Sequence, residues 1–554
     1  MGYGRVGYSA RTLVDIEVEF DAAEARRTAH FGQSLYIAGA QLSNYAGGSP
    51  VAFGEVSPLP EVGFHIAPWS ADIDANSGTG DVEPGTYAMK KTLQWDNAAG
   101  ERDRSTSAAV GQEVMAATGF FEFELIPSPQ ATNKVDIAVR SWRTVKNPPV
   151  GAPMYAASSL DPADTAGANA YVVADVTAQH SPGAGWDDYL ADEDLVKNQS
   201  DPENYGVLEH ISPPSCSIVV SHYDRLLVAG IPGLPNVVAY SKFRTDGSMA
   251  GFNSTLACAV PEDTGPITAV AFLNETMVVF CTTGVYVLPG QGLNDLGQGT
   301  NYGPAQLIAA DVGAEKQELV ATSSDGIIFK SSKGWYLLTR GWEVQYIGKA
   351  VEEYDDDTWL SAHILEDRRE LRLLSTSRCM VYHYEEKQWS EWTITDAIAP
   401  AVIWNGDWVY LASDGLVYTE DADYTNCDYS LDVELPWMTF AELLNRQKVG
   451  WFELLAEYRS ACRIRVRAAY NRNPAWVDDK YWTPTGLSAG AAIMFRHGLR
   501  YPNSESVKIR LTDAQVGSAD PPAGESYQLA GLAFGVGFFR KKRLWHGLAA
   551  ANKQ

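Results

Sequence analysis

Short apolar stretches separated by Gly, Ser, Asp and Asn turns set the pattern from Ser217 to Trp392, with an aromatic residue recurring soon after each turn. Three units read Met277-Val-Val-Phe-Cys-Thr-Thr-Gly-Val-Tyr-Val-Leu288, Gly326-Ile-Ile-Phe-Lys-Ser-Ser-Lys-Gly-Trp-Tyr-Leu-Leu338 and Ile403-Trp-Asn-Gly-Asp-Trp-Val-Tyr-Leu-Ala-Ser-Asp-Gly-Leu-Val-Tyr418. Each predicts a β-hairpin, because apolar runs of four to eight residues bounded by turn residues fit strands. Arg225–Gly230 with Val237–Ser241, and Glu370–Leu374 with Met380–Tyr384, extend the series. Their first strands recur at roughly 40 to 50 residues, the length of a four-stranded propeller blade.

Elsewhere the period is two. Val14-Asp-Ile-Glu-Val-Glu-Phe20 and Ser34-Leu-Tyr-Ile-Ala38 read as the first propeller strands, within residues 1–83. Tyr87, Met89, Leu93 and Trp95, then Phe121, Phe123 and Leu125, then Val135, Ile137 and Val139 mark three strands with one buried face each. They predict an inserted fibronectin-like sandwich over 84–146, removable without unfolding the propeller. The Ala, Pro, Gly and Asp-rich stretch 147–205 reads as a long loop, and 206–425 as the main blades. In 426–554, Cys462–Tyr470 and Ser506–Thr512 alternate apolar with basic residues and predict a C-terminal sandwich; Phe440–Lys448 is a short helix candidate capped by Thr439. The expected fold is all-β: an irregular propeller carrying two sandwiches.

Composition narrows the function. The chain has 554 residues, with 69 Asp plus Glu against 43 Lys plus Arg, a net charge of -26. That balance argues against a protein wrapped around nucleic acid, since phosphate contacts need lysines and arginines on the binding face. No stretch reaches the roughly 18 apolar residues of a membrane span, and the first residues lack the apolar core of a signal peptide. Neither membrane insertion nor secretion by that route is expected, so the sequons at Asn198, Asn253 and Asn274 carry no meaning. Cys216, Cys258, Cys281, Cys379, Cys427 and Cys462 are widely spaced with no C-x-x-C pair, which predicts buried free thiols.

A further pattern lies in Ser221-His-Tyr-Asp-Arg-Leu-Leu-Val-Ala-Gly230, Pro266–Phe280, Gly348-Lys-Ala-Val-Glu-Glu-Tyr354, Glu370–Ser375, Val381–Tyr384, Trp389-Ser-Glu-Trp392, Gly85–Trp95 and Gly100-Glu-Arg-Asp-Arg-Ser105. These stretches resemble the nozzle proteins of short-tailed bacteriophages, a family also called tail tubular protein B or packaged-DNA stabilisation protein. The resemblance covers about two-thirds of the chain as pattern. It implies a virion tail protein assembled in the bacterial cytoplasm: a homohexameric ring beneath the portal and the tail adaptor protein, with tail fibres or spikes as neighbours. Genomic double-stranded DNA would leave through its lumen. No cofactor is implied.

Site chemistry is sparse. Gly486-Leu-Ser-Ala-Gly490 matches the G-x-S-x-G nucleophile elbow, but Pro484 and Thr485 precede it where a strand is needed, so Ser488 is expected in a loop and no catalytic residue is assigned. No H-E-x-x-H pair occurs, and Gly348-Lys349 runs into Ala350 rather than completing a phosphate loop. Asp72, Asp74, Asn76 and Glu83 stand at calcium-loop positions one, three, five and twelve; with Ser77 at the glycine position, a solvated acidic linker is the better reading. Glu352, Glu353, Asp355, Asp356 and Asp357 form an acidic cluster, either a solvated turn or part of a DNA-repelling channel wall. Arg540, Lys541, Lys542 and Arg543 form a basic knot between aromatics, suited to DNA phosphates or, preferentially, to an acidic neighbouring subunit. Two other functions remain open: a propeller glycosidase or sialidase acting on host surface polysaccharide, which needs two carboxylates facing across a cleft, and a non-enzymatic receptor-binding tail protein. No S-x-D-x-G-x-x-W box of sialidase propellers is present.

Overall fold

The computed structural model describes residues 27–39, 41–46, 60–64, 73–107, 111–124, 134, 137–157, 171–173, 185–198, 200–201, 203, 206–404, 406–419, 432–440, 446–459, 462–501, 503–514 and 527–539. The chain forms two compact units, 1–418 and 419–554. Both consist mostly of antiparallel β-sheets.

Six meandering sheets follow one another in unit 1. Blade 1 has strands Arg27–Phe31, Ser34–Ala38 and Ser43–Tyr45; blade 2 has Ile218–His222, Arg225–Ala229, Val237–Tyr240 and Ala257–Ala259. Blade 3 comprises Ile267–Leu273, Thr276–Cys281, Val285–Leu288 and Gln306–Ala309; blade 4 comprises Val320–Thr322, Gly326–Ser331, Gly334–Thr339 and Val344–Tyr346. Blade 5 holds Trp359–Leu365, Glu370–Ser375, Arg378–His383 and Gln388–Thr393; blade 6 holds Val402–Trp404, Asp407–Leu411 and Val417–Thr419. From blade 1 to blade 5 the first strands of successive sheets touch. Four-stranded sheets stacked by their inner strands are the arrangement of β-propeller blades.

Packing explains the continuous apolar runs. In Thr276–Cys281, Met277, Val279 and Cys281 face blade 2, while Val278 and Phe280 face blade 4. A middle strand covered on both sides has no polar face, so period-two alternation disappears. Equivalent clusters lie between blades 1 and 2, 4 and 5, and 5 and 6. Outer strands are exposed, as in Gln306–Ala309 and Val344–Tyr346. The hairpin between Leu273 and Thr276 is closed by Asn274 and Glu275, both at positive φ (49° and 63°), the two-residue turn whose twist matches that of paired strands.

The module between blades 1 and 2 differs from the expected 84–146 sandwich. Its first sheet is built on Gly85–Asp96, paired with Gly111–Met115, Arg102–Arg104 and Ile137–Arg143, the last of which also pairs with Tyr155–Ala156 and Tyr171–Val173. In the second sheet, Gly119–Glu124 lies between Ile73–Val82 and Gly185–Asp188. Val82, Tyr87, Met89, Met115, Phe121 and Phe123 form one core. Residues 147–205 are thus not one long loop: they contribute three strands and the one-turn helix Asp192–Leu195. Those strands have two to four residues, too short to show a period, and form because longer strands offer free edges.

Unit 2 pairs two sheets over one core. One runs Asp432–Glu434, Val507–Ala514, Arg463–Tyr470, Asp478–Trp482 in spatial order; the other runs Ala492–Gly498, Arg446–Tyr458, Tyr527–Phe539. Phe452, Leu454, Ile464, Val466, Ile493, Ile509 and Leu511 meet between them. The expected helix Phe440–Lys448 is corrected in its last three residues, which begin the 13-residue strand Arg446–Tyr458; residues 441–445 lie outside the described ones. Cross-strand pairing along that whole strand outweighs weak local helix propensity.

Cys216, Cys258 and Cys281 are free, Cys379 and Cys462 are buried, and burial pushes the Cys216 and Cys258 thiols up to about 12; Cys427 and the strand-like Val14–Phe20 lie outside the described residues. Among the described residues no helix is long and apolar enough to cross a membrane.

Trp335 of blade 4 is fully buried and meets Trp359 of blade 5 edge-on at 5.5 Å. Trp335→Ala is expected to destabilise unit 1 by about 3–5 kcal/mol, read as a lower urea midpoint. An unchanged midpoint would show that this contact does not hold the two blades together.

Candidate functional site

Desolvated charge concentrates where the module meets blades 1 and 2. The hairpin between Gly85–Asp96 and Arg102–Arg104 reaches into the propeller. Glu101 accepts from Gln33 N–H (3.0 Å), Ser34 Oγ (2.5 Å) and Asn97 Nδ2 (3.2 Å). It lies so close to the blade 1 hairpin that a Cβ on Gly32, which sits at φ 68°, would collide with its carboxylate. Arg102 N–H donates to Gly247 O (2.8 Å), and Met249 N–H donates to Arg102 O (3.0 Å), stitching the hairpin to blade 2.

Asp103 is wholly buried: it accepts from Gly63 N–H (2.8 Å) and lies 3.0 Å from Lys134 Nζ, which also sits 4.1 Å from the Phe64 ring centre. Asp201, equally enclosed, is shared by Arg104 (2.7 Å) and Lys90, and Lys90 also pairs with Glu203 at 2.9 Å. Burial pushes the Asp201 carboxyl up, but Arg104 and Lys90 outweigh it and hold the group below the usual range. Arg143 joins Asp188 and Asp192 (2.8 Å) inside the module and lies over the Tyr87 ring. His210 N–H donates to Glu203 (3.2 Å), while its Nε2 lies 3.8 Å from Asp103 and has no hydrogen-bond partner among the described residues. Burial, reinforced by nearby Lys242 and Arg104, pushes the His210 imidazole down to about 3, so it is neutral at pH 7.

A second long-range contact crosses the blades. Arg27, on the first strand of blade 1, meets Glu318 at 2.7 Å and donates to Ser217 O at 2.6 Å. Glu318 belongs to the short 3-10 turn Gln317–Leu319 before blade 4, three blades round from Arg27. Gln317 in that turn bonds both the N–H and the C=O of Val270 in blade 3 (2.7 and 3.0 Å), and the turn also packs on the first strand of blade 5. Together, Arg27 and the 317–319 turn tie blade 1 to the turn before blade 4 and to blades 3 and 5.

The acidic cluster sits on the connection from blade 4 to blade 5. Glu352, Glu353 and Asp356 are exposed. Glu352 pairs with Lys349 (3.1 Å) and accepts from Tyr346 (2.9 Å), which hold its carboxyl below the usual range. Asp357 pairs with Arg378 (2.9 Å). Asp355 lies 3.7 Å from Lys330, a lysine buried within blade 4, and its own burial pushes it up despite that cation. Three of the five carboxylates therefore have a cation within 4 Å, far from the bare acidic surface their sequence suggests.

Asp74 and Asn76 lie in the strand Ile73–Val82, where Asn76 donates to Glu122 (2.8 Å), and Glu83 pairs with Lys146. An extended strand does not wrap its carboxylates around one ion, and no metal-binding group occurs among the described residues. Asp72 and the basic knot Arg540, Lys541, Lys542 and Arg543 lie outside the described residues. Ser488 lies exposed between strands Asp478–Trp482 and Ala492–Gly498, with no helix after it. Sequence reasoning missed the junction charges. Their signal was Lys90 and Lys91 amid mostly apolar positions of the strand Gly85–Asp96, and the charged run Glu101-Arg-Asp-Arg104 after it.

No family model matches the sequence, and no curated protein matches it. Solved structures similar in part include the exo-β-1,3-galactanase of Phanerochaete chrysosporium (9% identity, 58% of this chain and 96% of that one, TM-score 0.24). Kluyveromyces lactis Hsv2 (10%, 72% and 98%, 0.26) and apo AztD of Citrobacter koseri (7%, 70% and 88%, 0.25) are others. At such TM-scores these likenesses carry no argument about activity.

The junction predicts a pH dependence. His210 titrates near 6.5 when unfolded and near 3 when folded, so between those values the unfolded chain binds more protons and stability falls as pH falls. From pH 7 to pH 5 this group should remove about 2 kcal/mol from unit 1. His210→Gln should lose correspondingly less over the same range in urea titrations; parallel curves would show that His210 is not buried neutral.

Proposed function

We propose that this chain is a structural tail component of a short-tailed bacteriophage: a nozzle subunit whose ring retains packaged DNA and conducts it during ejection. In this reading an irregular propeller carries a fibronectin-like module and a C-terminal sandwich. Six copies stand beneath the tail adaptor protein, near fibres or spikes, with the duplex in the lumen between them.

The observation that carries the reading is the ion pair that crosses the blades from Arg27 to Glu318. A duplex whose major groove alone is about 12 Å wide has no passage where Arg27 and Glu318 meet at 2.7 Å, so any DNA path must run between copies. The charged junction adds support, because a module tied to two blades suits a load-bearing wall. Deleting the module would strip partners from Gly63 N–H, Gln33 N–H and Ser34 and uncover the core on which Trp95 packs, so a folded, soluble deletion chain is the outcome that would support the expected removability.

Particle images of the purified protein test the reading. Closed six-fold rings with an axial hole are expected, and monomers or open filaments would exclude it. The acidic cluster gives a second test if it lines the lumen. Replacing Glu352 and Glu353 by Gln and Asp356 by Asn leaves Lys349 uncompensated, so DNA release from reconstituted particles should slow, most at low salt where screening is weakest. An unchanged release rate would remove the cluster from the channel wall.

A further inference from the structure

Charge divides unevenly between the two units. Residues 1–418 hold 26 Lys plus Arg and 54 Asp plus Glu, whereas residues 419–554 hold 17 and 15. The first unit carries a formal -28 and the second +2.

Cationic side chains of unit 2 gather on one sheet face. Along Arg463–Tyr470 the residues Ile464, Val466 and Ala468 point into the core, which turns Arg463, Arg465 and Arg467 to the opposite face. Across the sheet Arg510 stands beside Arg467, and Lys508 beside Ala469. Arg465 is bound by Asp479 (2.9 Å), Arg510 by Asp432 (2.7 Å), and Lys508 by Glu434. Arg463 and Arg467 have no ion pair among the described residues; they lie over aromatic rings instead, Arg463 at 4.2 Å from the Tyr481 centre and Arg467 at 5.4 Å from Trp476. Arg467 Nε has no hydrogen-bond partner there either. Tyr481 is 46% exposed.

We propose that this face docks on the acidic 1–418 unit of a second copy of the chain, with Arg463 and Arg467 as its anchors. The three carboxylates on the face disfavour a phosphate backbone, which needs unbroken positive charge. Arg, Trp and Tyr in a mixed-charge setting instead match the anchors of protein interfaces. The partner surface must be acidic, and the chain supplies one in its own first unit. Because the face meets a different surface on its neighbour, the contact is head-to-tail, the type that closes into rings when the rotation permits. The proposal rests on the ring reading only for the number of copies.

The test uses the full chain with Arg463→Glu and Arg467→Glu together, half-buried changes on the face away from the core that are expected to leave the circular dichroism spectrum intact. Sedimentation should show self-association weakened at least tenfold, and the wild type should itself weaken as salt rises. Arg463→Lys with Arg467→Lys, which keeps the charge, should retain most of the association. Unchanged association in the Glu variant overturns the proposal while leaving the ring reading standing. A wild-type chain that pairs through these arginines without closing a ring sinks the ring and keeps the face. A monomeric wild type sinks the proposal. So does a fluorescent DNA duplex that binds the wild type but not the Glu variant while self-association stays the same, since the face would then read phosphate.

Discussion

Two carboxylates taken wholly out of water, Asp103 and Asp201, govern how unit 1 holds together. A buried ion costs several kcal/mol in lost hydration, recovered only when partners stand in the right place. Asp103 requires Gly63 from the edge of blade 1 together with Lys134, and Asp201 requires both Lys90 and Arg104. Seating the module differently would keep these ion pairs but strip Asp103 of the Gly63 N–H, a hydrogen bond to a buried charge whose loss costs about 1.5–3 kcal/mol. The junction therefore contributes more to the uniqueness of the arrangement than to its net stability. Glu101 acts in the same sense at the turn of blade 1, where it leaves room only for glycine at position 32.

The blades depend on a complementary constraint, coverage of both faces. Val278 and Val279 are adjacent in sequence yet serve different interfaces, one toward blade 4 and one toward blade 3's other neighbour. A polar residue can enter such a strand only if its head finds a partner at the margin. Lys330 does so: it is buried in blade 4, donates to Ser331 O at 2.8 Å and approaches Glu315 and Asp355 at 3.6 and 3.7 Å.

This constraint explains what could be read from the sequence. Runs such as Met-Val-Val-Phe-Cys and Gly-Ile-Ile-Phe carry their strand assignment because turn residues bound them on both sides, and all five expected hairpins stand in the structure. Unit 2 was legible for the opposite reason: one covered face keeps the alternation of Arg463 to Arg467 intact. The module's far strands were not, since Tyr155–Ala156, Tyr171–Val173 and Gly185–Asp188 exist only by pairing with distant segments. Nor was the pairing of the acidic cluster, because Lys330 and Arg378 come from other strands and no local spacing announces them.

The bridge from Arg27 to Glu318 spans 291 residues of sequence. At translation rates of about 5–20 residues per second, roughly 15 to 60 seconds separate the synthesis of the two partners. Until blade 4 emerges from the ribosome, Arg27 has no carboxylate to meet, and the first strand of blade 1 is held by its hairpin and by blade 2 alone. The tie across the blades thus forms only once more than half of the chain has been made, and a chain truncated before Glu318 would lack it.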